Sequence, residues 1–190
     1  MKVLLIHPEI SRTKYNFAGV IDNEPLDLEY IAALLRNEGI EYDIWDGQIE
    51  TISAQSKMDS YKPDVVYCCG RTRQENFMKE YLTYAKTTLG AMTIAGGVHT
   101  QLCKHRFFID EIDFVLSSYD YFAVISLIKG ESSEGLNGVS YKTDGEWKSN
   151  EVIPTDKYKL VNESNFCFNL SSIRILIFDC VMLLSLCVTL

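Results

Sequence analysis

Ala91-Met92-Thr93-Ile94-Ala95-Gly96-Gly97-Val98-His99-Thr100 is the stretch whose reading decides the fold. A run that reads as a buried strand meets two glycines and then a histidine. In an α/β sheet this is the carboxyl end of a strand, where a ligand can approach bare backbone. Strands and helices alternate on either side of it. Val3–Ile6 is a continuous apolar run, expected as a central parallel strand that His7-Pro8 ends. Pro25 opens a helix in which Leu28, Ile31, Ala32 and Leu35 recur on one face, closed by Gly39. Ile40–Trp45 alternates apolar and acidic residues, as a half-exposed edge strand does. Ile49–Tyr61 reads as a weaker helix, and Val65–Cys69 as a third strand ending at Gly70. A helix from Thr72 or Arg73 to Leu89, closed by Gly90, leads into the opening stretch. Ile112–Leu116 is the fifth strand, and Tyr121–Lys129 the last helix of the series.

This alternation predicts an α/β protein with a flavodoxin-like, doubly wound five-stranded parallel sheet in the order 2-1-3-4-5. That order puts the alternating second strand at an edge. The loops His7–Glu24, Cys69–Arg73, Gly96–Thr100 and Ser117–Asp120 then line one crevice. Tyr15, Phe17, Val20 and Ile21 mark the first of them as a structured cover. After Gly130 the pattern changes. Asp144-Gly145 between β-like flanks predicts a small β-hairpin extension. The domains expected are the sheet at 1–131, the hairpin and linker at 132–161, and an apolar tail at 162–190.

The chain has 190 residues, 47% hydrophobic and 23% charged, with a net charge of −8. Such a chain builds a globular core, and its acidity argues against nucleic acid and anionic membrane as partners. Arg71 and Arg73 are too small a basic cluster to alter that. Six cysteines are present, none in a Cys-x-x-Cys pair. With no apolar leader segment after Met1-Lys2, they read as free thiols of a cytoplasmic protein.

Gly96-Gly97 fits a tight turn that needs positive φ, or a close approach by a ligand. His99 has no second ligand residue three or four positions on, so a locally built metal site is not expected. His7, before proline, reads as structural and His105 as solvated. Phosphate-binding glycine fingerprints are absent, and so is the carboxylate pattern of a response-regulator receiver. No nucleophile–base pairing is legible, which places an independent enzyme last among the possible functions.

Met1–Pro8, Pro25–Gly39, Trp45-Asp46-Gly47, Pro63–Val66, Ile94–His99 and Ile112–Val115, in that order, resemble the start of cobalamin-dependent radical S-adenosylmethionine enzymes. The resemblance runs over about residues 1–160. It implies a cobalamin-binding domain, with the corrinoid over the carboxyl ends of the strands and its nucleotide tail in the sheet crevice. The loop His7-Pro8-Glu9-Ile10-Ser11-Arg12 lacks the Asp-x-His-x-x-Gly motif of the mutases, so base-off cobalamin without a histidine ligand is expected. The resemblance implies Gly96, Gly97, Val98 and His99 as cofactor-binding residues, joined by Cys69, Gly70, Thr72, Ser117 and Ser118 from neighbouring loops.

This chain departs from the family in two places. Ser117-Ser118-Tyr119-Asp120-Tyr121 stands where an Arg-Gly-Glu-Gly-Glu-like turn is usual. Cys167, Cys180 and Cys187 lack the Cys-x-x-x-Cys-x-x-Cys spacing, so no iron–sulfur cluster is expected. Ile173–Leu190 approaches membrane-spanning length, yet Arg174 and Asp179 would each cost about 2.5–3.5 kcal/mol at a helix centre. Truncated or frame-shifted sequence fits this tail better. The expectation is a cobalamin-binding domain, not catalytic alone, with a separate radical S-adenosylmethionine catalytic domain as its partner. A ligand-free flavodoxin-like interaction or regulatory module is the alternative.

Overall fold

The computed structural model describes residues 1–10 and 25–154. Most of the expected cover loop, the linker past Pro154 and the apolar tail with its three cysteines lie outside the described residues. The chain runs β1 (Lys2–His7), α1 (Leu26–Asn37), β2 (Glu41–Asp46), α2 (Ala54–Tyr61), β3 (Val65–Cys69), α3 (Glu75–Tyr84), β4 (Met92–Gly96), α4 (Val98–Cys103), β5 (Phe114–Leu116), α5 (Tyr121–Ile128), β6 (Val139–Thr143) and β7 (Glu146–Ser149). The sheet order is β2-β1-β3-β4-β5-β6-β7. β1 to β5 are mutually parallel, in the predicted order.

Strand side chains alternate between the two faces. Val3, Leu5, Val65, Tyr67 and Ile94 pack against α1 and α5, meeting Leu28, Ile31, Leu35, Val124 and Ile128. Leu4, Ile6, Val66, Cys68 and Ala95 pack on the opposite layer with Met58, Met78, Leu82 and Phe107. Burying each leucine or isoleucine of β1 contributes about 1.5–3 kcal/mol, which is why this strand holds the middle of the sheet. β2 lies at the edge, where Trp45 is its one buried residue.

Three expectations are corrected. The sheet has seven strands, because the hairpin does not stand apart from it. β6 pairs antiparallel on β5, with Phe114 opposite Tyr141 and Leu116 opposite Val139. Otherwise β5, only three residues long, would present an unpaired edge. Val139 enters the core, and Trp147 stacks on Phe108 with centroids 4.5 Å apart. Asp144 and Gly145 both take positive φ, 55° and 83°, as a two-residue hairpin turn requires.

The second helix starts at Ala54, not Ile49, and Ile49 and Ile52 are exposed. Ser53 fixes the start: its Oγ accepts the Ser56 N–H at 3.1 Å. Replacing Ser53 by alanine is expected to lower stability by about 1 kcal/mol in urea unfolding. Third, the loop read after Gly97 is a helix, α4, too short to announce itself by periodicity. Among the described residues no helix is long and apolar enough to cross a membrane.

Candidate functional site

The carboxyl ends of β1, β3, β4 and β5 converge on the turns at Gly70 and Gly97. Gly97 leaves β4 at φ 94°, a value that disfavours a side chain. A Cβ there would stand 2.8 Å from the Gly70 amide nitrogen and 3.0 Å from its carbonyl oxygen. The two turns thus touch backbone to backbone, and the His99 N–H donates to the Gly70 carbonyl at 3.2 Å.

His99 is 2% exposed. Its Nε2 lies 2.7 Å from Glu75 Oε2 and its Nδ1 3.2 Å from Thr72 Oγ1. The pairing assigns the proton to Nε2, which donates to the carboxylate while Nδ1 accepts from the threonine hydroxyl. The ring stands edge-on to Phe107. Glu75 also takes Lys79 Nζ at 2.6 Å and Arg106 Nε at 2.7 Å. Burial pushes its carboxyl up, but the hydrogen bonds from Lys79, Arg106 and His99 outweigh that and hold it at about 2. His99 is therefore a buried brace between the turn after β4 and the start of α3.

A second brace lies beside it. His7 Nδ1 is 3.2 Å from Asp46 Oδ1, and its Nε2 is 3.1 Å from Gln74 Nε2. The Gln74 amide donates to Nε2, and Nδ1 lies between Asp46 and the Gln48 amide nitrogen, 3.0 Å away. Gln74 Oε1 in turn accepts the Arg71 N–H at 2.8 Å. The ends of β1 and β2 and the turn after β3 are thereby locked together.

On the β5 side, Ser117 Oγ donates to the Gly138 carbonyl and Ser118 Oγ to the Asn137 carbonyl, both at 2.9 Å. Thr100 Oγ1 is within 2.6 Å of the Leu116 carbonyl and 2.9 Å of the Gly97 carbonyl. Gly70, Thr72, Gly97 and His99 therefore meet in one place, with Cys69 and Gly96 beside them in register. Ser117 and Ser118 stand one strand away, on the approach of β6. Val98 is exposed. Cys68 and Cys69 are buried free thiols whose pKa burial pushes well up, which keeps them protonated.

The other wall of the crevice faces α1 and α5. Gly96 points into it, and Tyr67 fills the space a side chain would need. A Cβ on Gly96 would fall 2.0 Å from the Tyr67 hydroxyl oxygen and 2.5 Å from Cζ. Tyr67 has no exposure, and its hydroxyl has no hydrogen-bond partner among the described residues. Nearby, Tyr121 donates to Asp27 and stacks on Tyr30, joining the amino ends of α1 and α5. At the opposite end of the sheet lies a cleft of about 500 Å³. Its Lys86 and Lys142 are bonded to Asp113 and Asp110, so both charges are already answered.

Sequence reasoning missed Glu75, Gln74, Tyr67 and the Tyr121–Asp27 pair. A hydroxylated residue inside the otherwise apolar Val65–Cys69 run was the visible signal for Tyr67. The others carried none, since their partners are distant in the chain. Among the described residues, no group of three His, Cys, Asp or Glu side chains is placed to hold a metal ion.

The fold and this crevice define the class: an α/β domain with a mixed seven-stranded sheet, five α-helices among the described residues, and a candidate site at its carboxyl edge. No protein-family model matches the sequence, and no curated protein matches it. Its structural neighbours are cobalamin-dependent radical S-adenosylmethionine enzymes. OxsB, solved with aqua-cobalamin and S-adenosylmethionine bound, superposes with a TM-score of 0.65 at 19% identity, over 81% of this chain and 22% of OxsB. The radical S-adenosylmethionine methyltransferase TsrM from Kitasatospora setae, solved with cobalamin and a [4Fe-4S] cluster, gives 0.59 at 16% identity, over 80% of this chain and 29% of TsrM. The form of TsrM with its tryptophan substrate and an S-adenosylmethionine analogue bound gives the same score over 82% and 30%. The likeness is one of fold, and this chain spans less than a third of either enzyme's length.

Proposed function

We propose that the chain binds cobalamin at the carboxyl edge of its sheet, as the corrinoid-carrying part of a radical S-adenosylmethionine system. The observation that carries this is the Tyr67 hydroxyl, buried without a partner against Gly96 on the wall the resemblance assigns to the nucleotide tail. A buried hydroxyl without a hydrogen bond costs about 1–3 kcal/mol, and a polar ligand group would remove that cost. The fold shared with OxsB and TsrM supports the same reading.

The residues present fit the group in modified roles. Tyr67 and the backbone at Gly96-Gly97 and Gly70 line the tail. Val98, exposed beside the turn, and Cys69, next to Gly96, line its entrance. His99 and Thr72 hold the turn through Glu75 rather than touching the ligand. Ser117 and Ser118 shape the wall at β5 with their hydroxyls already engaged. His7 and His99 are both engaged within the protein, and a nucleotide tail held in the crevice would leave the cobalamin base-off without a histidine ligand. When bound, cobalamin supplies cobalt-centred methyl-transfer and related chemistry. Catalysis, and any iron–sulfur cluster, belongs to a separate radical S-adenosylmethionine domain. The cobalamin domain is residues 1–131, extended by β6 and β7.

Mixing the purified protein with hydroxocobalamin tests this. Co-elution on gel filtration, with the absorption spectrum moved to the base-off form, is the expected result. A protein fraction that carries no cobalamin after mixing with an excess would sink the proposal. The alternative, a ligand-free interaction module, is favoured by one observation: the Tyr67 ring occupies the Gly96 slot. It predicts that no corrinoid co-elutes.

A further inference from the structure

Tyr67 sits in the middle of the sheet, between Leu5 of β1 and Ile94 of β4 in register. Its side chain leans along β3 so that the hydroxyl reaches the Cα of Gly96, two residues beyond Ile94. Other buried polar atoms without partners, among the described residues, belong to Glu9, Tyr61 and Gln101. Those side chains keep some exposure to solvent elsewhere along their length. Tyr67 has none. Of the polar groups near it, the Tyr121 hydroxyl is already engaged with Asp27. Burial, with Cys69, Tyr121 and Asp27 nearby, keeps the Tyr67 hydroxyl protonated and therefore a donor.

A protonated donor, fully buried and without a partner among the described residues, calls for an acceptor from outside the chain. Phenylalanine would fill the same volume and avoid the unpaired hydroxyl. We propose that Tyr67 is a specificity-determining residue: its hydroxyl donates to a hydrogen-bond acceptor on the nucleotide tail, so the chain prefers a corrinoid that carries a tail over one that lacks it. This rests on the corrinoid reading above and deepens it, because it names the part of the ligand that is recognised. The ligand reaches the hydroxyl between the amino ends of α1 and α5, where the Tyr121–Asp27 bond is the tie to be parted.

The test compares two probes, hydroxocobalamin and the tail-less dicyanocobinamide, by equilibrium dialysis against the wild-type chain and Tyr67→Phe. The wild type is expected to bind cobalamin more tightly than cobinamide. Tyr67→Phe should lose about tenfold for cobalamin, the size of one hydrogen bond, and keep its affinity for cobinamide. Without ligand, its melting temperature should equal or exceed that of wild type, since an unpaired hydroxyl has gone. An equal change for both probes, or none, would overturn the proposal while leaving corrinoid binding intact. Failure of the wild type to bind either probe would overturn the corrinoid reading itself. Should Tyr67→Phe not fold, the wild-type comparison still decides, because equal affinity for the two probes refutes recognition of the tail.

Discussion

Glu75→Gln is expected to lower the stability of the folded chain by about 3 kcal/mol at pH 7, and to flatten its acid dependence. Glu75 is buried and gathers Lys79, Arg106 and His99 around one carboxylate. Its folded pKa is about 2, against an ordinary 4.5. A depressed carboxylate stabilises the fold fully above its unfolded value. That contribution is lost as the pH falls from about 4.5 to about 2. Urea midpoints measured from pH 7 down to pH 3 should fall in the wild type beyond what the variant shows, so the two curves converge in acid. Parallel curves would mean that the cluster around Glu75 is not holding its charge. The substitution also weakens the hold on His99 by removing the carboxylate's charge, so the turn at Gly97 should exchange its amides faster, His99 N–H among them.

Gly96→Ala is expected to cost about 1–3 kcal/mol, the range for overpacking a filled core. The new methyl would lie 2.0 Å from the Tyr67 hydroxyl, and the ring has β1 and β4 on either side. The cost should be coupled to Tyr67. In the Gly96→Ala/Tyr67→Leu double variant the added methyl occupies space the ring has left. The double variant should then be more stable than the sum of the single changes by about 1 kcal/mol or more in a thermal or urea double-mutant cycle. Additive effects would show that Gly96 is required for some reason other than Tyr67.

These two sites also show how far the sequence can be read. Strand periodicity exposes the β1–β5 order, because apolar runs and glycine stops are local and each parallel crossover allows one hand. Asp144-Gly145 exposes the hairpin turn, because φ above zero at two successive residues selects those residue types. It says nothing about where the hairpin docks. That was decided by β5, a short edge needing a partner, and by Val139 and Trp147 finding apolar neighbours.

The stretch at Ala91–Thr100 divides in the same way. By itself the sequence determined a buried strand that ends in a turn at Gly96-Gly97, since backbone preference and hydrophobic pattern are properties of consecutive residues. Only the tertiary structure decided what the two glycines and His99 are for. Gly97 admits the backbone of Gly70, Gly96 admits the ring of Tyr67, and His99 braces Glu75 rather than facing solvent. Each of these partners is brought in by the pairing of β3 with β4 and the packing of α3. A contact between residues far apart in the chain leaves no trace in the spacing of either one.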